Sequence, residues 1–105
     1  MIDPQVVENA ILERLKTVID PETGTDILHI RLVQDLQVNE NGHVSYIFRP
    51  SSPLCPVAAP LAMSIIEAVR EVPGVSSQDV TVVGYVYAGE LNETLRAVLA
   101  ENGEE

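Results

Sequence analysis

The sequence has 105 residues, of which 46% are hydrophobic, and it contains no Trp and a single Cys. This length fits one domain with its own aliphatic core, expected over residues 1–105 with fraying at 101–105. Its 16 acidic and 6 basic residues give a net charge of −10, which excludes nucleic acids and anionic membranes as partners and favours basic, neutral or metallic ones. One cysteine excludes an internal disulfide, and no apolar run is as long as a signal peptide or membrane span. We therefore expect a soluble cytoplasmic protein with a reduced thiol.

The first half of the chain predicts a helix followed by a hairpin. Apolar residues recur at helical spacing over residues 4–19, and the segment "DPETGTD" then ends the helix. Over residues 28–38 the apolar period changes to two, and after the turn "NENG" the run "HVSYIF" also alternates. We expect an antiparallel hairpin with one buried face, in which Val38 lies near Val44 unless a bulge at Gly42 shifts the register.

The second half predicts a helix, a strand and a final helix. The second helix ends near Val72, but its start is open between Pro56 and Pro60, because in a regular helix the Pro60 ring would clash with the Pro56 carbonyl. The run "VTVVGYVY" predicts a third strand, and residues 91–99 predict a short helix closed by Gly103. Elements with one apolar face predict an α+β fold: a two-layer sandwich in α-β-β-α-β-α order, with the helices on one face of a small mixed sheet.

The single cysteine lies in the stiff loop "SSPLCPVAAP", with prolines at 53, 56 and 60. If the second helix begins at Pro56, Cys55 occupies its N-cap, where free N–H groups and the helix dipole favour a thiolate able to bind metal or act as a nucleophile. Alternatively, Cys55 is an inert small hydrophobe in the core. The rigid loop favours a functional role, because rigidity preorganises a ligand.

The bend "IDPETGTD" provides a second candidate group, the carboxylates of Asp20, Glu22 and Asp26. They could reach a metal beside Cys55, or they could hydrogen-bond the local backbone as turn residues. Nearby carboxylates disfavour a free thiolate, whereas a metal cation would supply the missing positive charge. A metal-bound thiolate is therefore favoured over a free nucleophile.

The remaining polar candidates are two serines and two histidines. Ser51 and Ser52 could donate hydrogen bonds to the cysteine sulfur, or they could satisfy the loop backbone. His29 and His43 lie on the polar sides of their predicted strands without HxxxH or CxxC spacing, which indicates surface residues. The sequence contains no Walker loop, GxGxxG, GxSxG or HExxH motif.

Four segments occur in a recognisable order: "VIDPETGTDILHIRLVQDL", "SSPLCP", "EAVREVPGV" and "DVTVV". Together they resemble the FSCA domain of iron–sulfur cluster assembly factors, in its PaaD-like and SufT-like branch, also called the domain-of-unknown-function fifty-nine family. Arg31 stands at a family glycine and Gln34 at a family tyrosine. The motif matches are Asp20-Pro21-Glu22, then Pro53, Cys55 and Pro56 after two serines that replace threonines, then Pro73-Gly74-Val75.

The resemblance implies helices packed on a small sheet and an accessory role in iron–sulfur cluster assembly or transfer. The family's cysteine and its Asp-Pro-Glu acidic residues correspond to Cys55, Asp20 and Glu22 here, so the resemblance implies that these three are the functional candidates. Ser51 and Ser52 accompany them as further candidates. The PaaD cysteine-rich segment is missing, which favours a SufT-like role.

A cluster needs about four ligands, usually thiolates, and this chain offers one. We therefore expect a non-enzymatic factor that handles iron or a cluster transiently through Cys55, without a tightly bound cofactor. Its partners would be iron–sulfur assembly proteins or client apo-proteins, and a homodimer is a further candidate assembly. The alternatives are an interaction module with a structural Cys55 and a thiol-dependent enzyme.

Overall fold

The computed structural model describes residues 3–101, which form three helices and one three-stranded sheet. In chain order the elements are α1 (Pro4–Leu15), β1 (Val33–Val38), β2 (His43–Phe48), α2 (Ala58–Arg70), β3 (Ser77–Val82) and α3 (Ala88–Glu101). This order confirms the predicted α-β-β-α-β-α arrangement. Within this range, every helix is too short or too polar to cross a bilayer.

The sheet is mixed, with β2 at its centre. β2 pairs antiparallel with β1 and parallel with β3. Val38 lies opposite Val44, as the hairpin pattern predicts. The ladder is irregular around Asp35, which has a φ of 55°, and not at Gly42. The bulge therefore disturbs the start of β1 and leaves the hairpin end in register.

One face of the sheet and all three helices enclose an aliphatic core. Alternate residues of β2 are buried on this face, as predicted, and α2 contributes the largest helical set. Since the sheet has one apolar face, the helices give the two-layer α+β arrangement. The buried residues of these elements include Val44, Tyr46 and Phe48 from β2, Leu61, Ile65, Ile66 and Val69 from α2, Val7, Ile11 and Leu15 from α1, and Leu91, Leu95 and Leu99 from α3.

A buried polar chain links the sheet to α2. The Tyr46 hydroxyl donates to Gln78 Oε1 at 2.8 Å, and Gln78 Nε2 donates to the Ile66 carbonyl at 3.1 Å. Burial, and to a smaller extent the charge of Asp79, raises the pKa of Tyr46 well above its usual value. Tyr46 therefore remains a neutral donor, and the buried polar side-chain atoms of Tyr46 and Gln78 have hydrogen-bond partners.

Residues 27–31 form a single turn of helical character, so the prediction of a strand from residue 28 is wrong there. Asp26 caps the turn, because its Oδ1 accepts the next two free N–H groups at 3.1 and 2.9 Å. The Leu32 N–H donates to the Ile27 carbonyl at 2.9 Å, and the Arg31 N–H donates to the carbonyl three residues earlier at 3.1 Å. These two bonds form a Schellman motif, with Arg31 at the left-handed position (φ 61°) that favours glycine. The alternation of apolar residues in this segment predicted a strand instead of this turn.

Helix α1 ends at Leu15, four residues before the predicted end. The Thr17 and Val18 N–H groups donate to carbonyls three residues earlier, at 3.0 and 3.1 Å, which tightens the last turn. Ile19 then forms an isolated antiparallel bridge with Asp26. This bridge closes the acidic bend into a small loop, and the chain cannot continue as a helix.

Helix α2 begins at Ala58, between the two starts that the sequence left open. Val57 is the N-cap and makes no side-chain capping bond. Pro60 is then the third helical residue, where a backbone N–H has no intrahelical acceptor. Pro56 lies outside the helix, so its carbonyl is not held against the Pro60 ring. The structure accommodates both prolines without a break in the helix.

Strand β3 ends at Val82, so the prediction that it continues through "GYVY" is wrong. Gly84 has a φ of 65° and turns the chain towards α3. Asn92 of α3 then pairs with the open edge of β3, accepting the Val82 N–H at 2.8 Å and donating to the Val82 carbonyl at 3.1 Å. This contact satisfies backbone groups that an edge strand would otherwise expose. The predicted closure at Gly103 lies outside the described residues.

Candidate functional site at the cysteine loop

The cysteine loop, residues 49–57, connects the end of β2 to α2. Its backbone is held locally, with the Cys55 N–H donating to the Ser52 carbonyl at 3.2 Å and the Ala58 N–H donating to the Cys55 carbonyl at 3.4 Å. Cys55 is 1% exposed and belongs to the hydrophobic core. Because α2 begins at Ala58, Cys55 precedes the N-cap by two residues, and the proposed N-cap position for the thiol is wrong.

The acidic bend lies around Asp20, which is fully buried. Its Oδ1 accepts the Glu22 N–H at 3.2 Å, and its Oδ2 accepts the Thr23 hydroxyl at 3.3 Å. The backbone of Asp20 also closes the bend, since its carbonyl accepts the Gly24 N–H at 2.8 Å. Both carboxylate oxygens thus have partners within the turn, as the turn-forming alternative predicts.

The structure brings the two motifs of the resemblance together. The Ser51 hydroxyl donates to Glu22 Oε1 at 3.3 Å, which joins the cysteine loop to the acidic bend. Ser52 stabilises the backbone of its own loop, because its Oγ accepts the Leu54 N–H at 3.2 Å. Of the two serines, Ser51 connects the motifs and Ser52 shapes the backbone beside Cys55.

The other titratable candidates lie elsewhere. Asp26 caps the helical turn through the backbone, and His29 is exposed on that turn. His43 lies at the far end of β2 from the cysteine loop, where its Nδ1 is 2.7 Å from the Ser77 hydroxyl oxygen. Over residues 3–101, no three His, Cys, Asp or Glu side chains converge in a metal-binding group. The described residues therefore do not form a complete site for a resident metal ion.

An apolar corner that the sequence did not predict lies beside the cysteine loop. The Val86 N–H donates to the Pro53 carbonyl at 2.8 Å and fixes the turn after β3 against the loop. Leu54, Val86 and Tyr87 are 72%, 56% and 58% exposed. The alternation of "VTVVGYVY" indicated a strand, and local sequence carries no signal for the contact with Pro53. The corner could be found only from the tertiary structure.

Together these features define the class of protein. It is a small α+β domain in which a proline-bounded cysteine loop is hydrogen-bonded to an Asp-Pro-Glu bend. Residues 8–82 match the family described as iron–sulfur cluster assembly protein. The chain belongs to this family, and membership indicates a role in iron–sulfur cluster assembly or maturation.

Related proteins agree with this assignment. The chain is 35% identical over 91 residues to uncharacterized protein MJ1129 of Methanocaldococcus jannaschii, covering 87% of this chain and 96% of the relative. It is 35% identical over 92 residues to the chloroplastic Fe-S cluster assembly factor HCF101 of Arabidopsis thaliana, covering 83% of this chain but 17% of that longer protein. It is 29% identical over 79 residues to the Fe-S protein maturation auxiliary factor YitW of Bacillus subtilis, covering 75% of this chain and 78% of the relative.

A solved structure has the same fold. The domain of unknown function DUF59 from Bacillus anthracis superposes with a TM-score of 0.70 at 32% identity, covering 76% of each chain. This similarity confirms the predicted α+β fold and the predicted family.

Proposed function

We propose that this protein is a non-enzymatic accessory factor that handles iron or an iron–sulfur cluster transiently through Cys55. The observation that carries the proposal is the hydrogen bond between Ser51 and Glu22, which joins the acidic bend to the loop that contains the single cysteine. The names of the relatives HCF101 and YitW, a cluster assembly factor and a maturation auxiliary factor, support the same role.

The ligand set favours a shared cargo over a resident one. A cluster takes about four ligands, whereas this chain has one thiol, and the Asp20 carboxylate is already bonded within its turn. The soft thiolate of Cys55 suits iron–sulfur chemistry, so a partner would supply the remaining ligands. The partner would be another assembly protein, a client apo-protein or a second copy of this chain.

Burial of Cys55 requires that the cysteine loop opens before the thiol can reach cargo. Such an opening removes Cys55 from the hydrophobic core and breaks the backbone bonds from Cys55 to Ser52, from Ala58 to Cys55 and from Val86 to Pro53. The closed loop would protect the thiol between transfers. A SufT-like factor in the cytoplasm would benefit from this protection, because an exposed thiolate is readily oxidised.

Anaerobic reconstitution with iron and sulfide tests the proposal. Wild-type protein with an apo-client should raise the rate of cluster formation on the client, and Cys55→Ala should abolish the increase while keeping the fold. Glu22→Gln should weaken the effect by disturbing the bend. Glu40→Gln, at an exposed site in the hairpin turn, is the matched charge control and should behave as wild type. Undiminished client maturation by Cys55→Ala would refute the proposal.

The second candidate function is an interaction module in which Cys55 is only a packing residue. The burial of Cys55 in the hydrophobic core favours it. Under this hypothesis Cys55→Ala matures clients normally, so the same assay separates the two functions. A thiol-dependent enzyme has less support, since a nucleophile needs a base within hydrogen-bond reach, and His43 lies at the other end of β2.

A further inference from the structure

The turn between β3 and α3 forms a small cleft with aromatic walls. Tyr85 and Tyr87 have ring centroids 5.8 Å apart and planes at 75°, an edge-to-face arrangement. With the first two turns of α3 they border an open, shallow space of about 240 Å³. The cleft is lined by Tyr85, Tyr87, Glu90, Leu91 and Thr94. Nothing in the proposed handling of cargo by Cys55 uses this cleft.

The cleft lies at the most apolar exposed corner of the described chain. In residues 3–101, five large hydrophobic side chains are more than half exposed, and three of them, Leu54, Val86 and Tyr87, belong to this corner. The Val86 bond to Pro53 makes the cysteine loop and the cleft neighbours. Clustered exposed apolar groups of this kind mark interaction surfaces.

The charges at the cleft favour a cationic occupant. The Glu90 carboxylate lines it, and no described residue forms an ion pair with Glu90. The α3 N-terminus contributes only about half a positive charge, less than the full negative charge of Glu90. Arg49 packs against Gly84 and is not one of the residues that line the cleft. The overall charge of −10 attracts a basic partner from a distance.

We propose that the cleft of Tyr85, Tyr87 and Glu90 binds an arginine side chain of a partner protein, whose neighbouring apolar side chains cover Leu54 and Val86. Arginine fits because its planar guanidinium stacks on tyrosine faces while donating to a carboxylate. Its aliphatic stem also matches the Leu91 wall of the cleft. The partner would dock beside the cysteine loop, so this inference extends the proposed function by describing the surface of the molecule that shares the cargo.

Binding of a short peptide tests the inference without iron, sulfide or a client, so it can fail independently of the proposed function. The probe is acetyl-Leu-Arg-Leu-amide, titrated into isotope-labelled full chain and followed by NMR. The expected result is a saturable shift of the amides of residues 85–94 at millimolar peptide. The same peptide with citrulline in place of arginine keeps the shape without the charge and should bind more weakly.

Matched variants locate the contact. Glu90→Gln should weaken binding of the arginine peptide roughly two- to five-fold, the size of one partly exposed ion pair. Tyr87→Leu keeps an apolar wall, removes an aromatic face and should weaken binding by a similar factor. Glu93→Gln is the control, since it removes the same charge from an exposed position of α3 outside the cleft lining and should weaken binding less than Glu90→Gln does.

Four results would overturn the inference. Equal binding of the citrulline peptide would show that the cleft does not recognise a cation. An equal loss of peptide affinity in Glu93→Gln and Glu90→Gln would show only a general attraction of the cationic peptide to an acidic protein. The absence of shifts at residues 85–94 up to about 10 mM peptide would show no useful affinity at all. Shifts that appear with protein concentration alone would assign the corner to self-association instead.

Discussion

Labelling of Cys55 by a thiol reagent should proceed through a local opening of the cysteine loop. Opening breaks about three backbone hydrogen bonds at about 1 kcal/mol each and exposes a few buried groups, so its free energy is about 3 to 5 kcal/mol. Labelling should then be slower than that of a free thiol by a factor of about 10² to 10⁴, because only the open fraction reacts. Global unfolding of a domain of this size takes about 5 to 15 kcal/mol and would slow labelling further.

The dependence on urea separates these two routes. A local opening exposes little surface, so the logarithm of the labelling rate should rise with a small slope at low urea and join the steeper global slope near the unfolding midpoint. Ala10→Cys in a Cys55→Ala background places a thiol on an exposed site of α1 and supplies the unprotected rate. A single slope for Cys55, equal to that of global unfolding at every urea concentration, would refute the local opening and favour a purely structural thiol.

Four further substitutions test the fold by urea unfolding. Gly42→Ala should lower the free energy of unfolding by about 2 to 3 kcal/mol, because Gly42 has a φ of 84° and the added Cβ would clash with a turn carbonyl. Gly24→Ala should lower it by about 1 kcal/mol, because Gly24 has a φ of 72° but open space around the added Cβ. Equal losses of stability would contradict the clash. Arg31→Gly should stabilise the protein by about 0.5 to 1 kcal/mol, since relief of the left-handed strain exceeds the added chain entropy, and a net loss would count against the Schellman turn. Tyr46→Phe should destabilise by about 1 to 3 kcal/mol at neutral pH by leaving Gln78 without its donor. Because the folded pKa of Tyr46 is raised, its contribution to stability is complete below about pH 10 and declines above it. Above that pH the stability of Tyr46→Phe should therefore fall less steeply than that of the wild type. Parallel curves of stability against pH would contradict this assignment.

The order of elements was predictable because each helix or strand has one buried face and so imposes a period on the sequence. Alternation in "HVSYIF" placed Val44 and Phe48 in the core, and the helical spacing of α2 identified Leu61 and Ile65. The same rule failed at residues 27–31, where the alternating apolar residues Leu28 and Ile30 belong to a capped turn. There, hydrogen bonds from Asp26 and the left-handed residue Arg31 determine the conformation.

The candidate site was predictable only in part. The spacing of prolines indicated a stiff loop around Cys55, and the motif resemblance paired that loop with Asp20 and Glu22. The hydrogen bond between Ser51 and Glu22 confirms that the loop and the bend are neighbours. Burial of Cys55 and the bonding of Asp20 within its own turn were each one of two open alternatives, because residue type does not decide whether a small polarisable group faces solvent or core.

Composition, periodicity and turn residues by themselves predicted an acidic α+β fold with an aliphatic core, since charge is a sum over residues and each helix or strand imposes its period on residues close together in the sequence. Only the tertiary structure decided that the turn after β3 bonds to Pro53, which joins Leu54, Val86 and Tyr87 into one exposed corner. The physical reason is separation along the chain: residues about thirty positions apart meet only when the parallel pairing of β2 and β3 brings the ends of both strands to the same edge of the sheet.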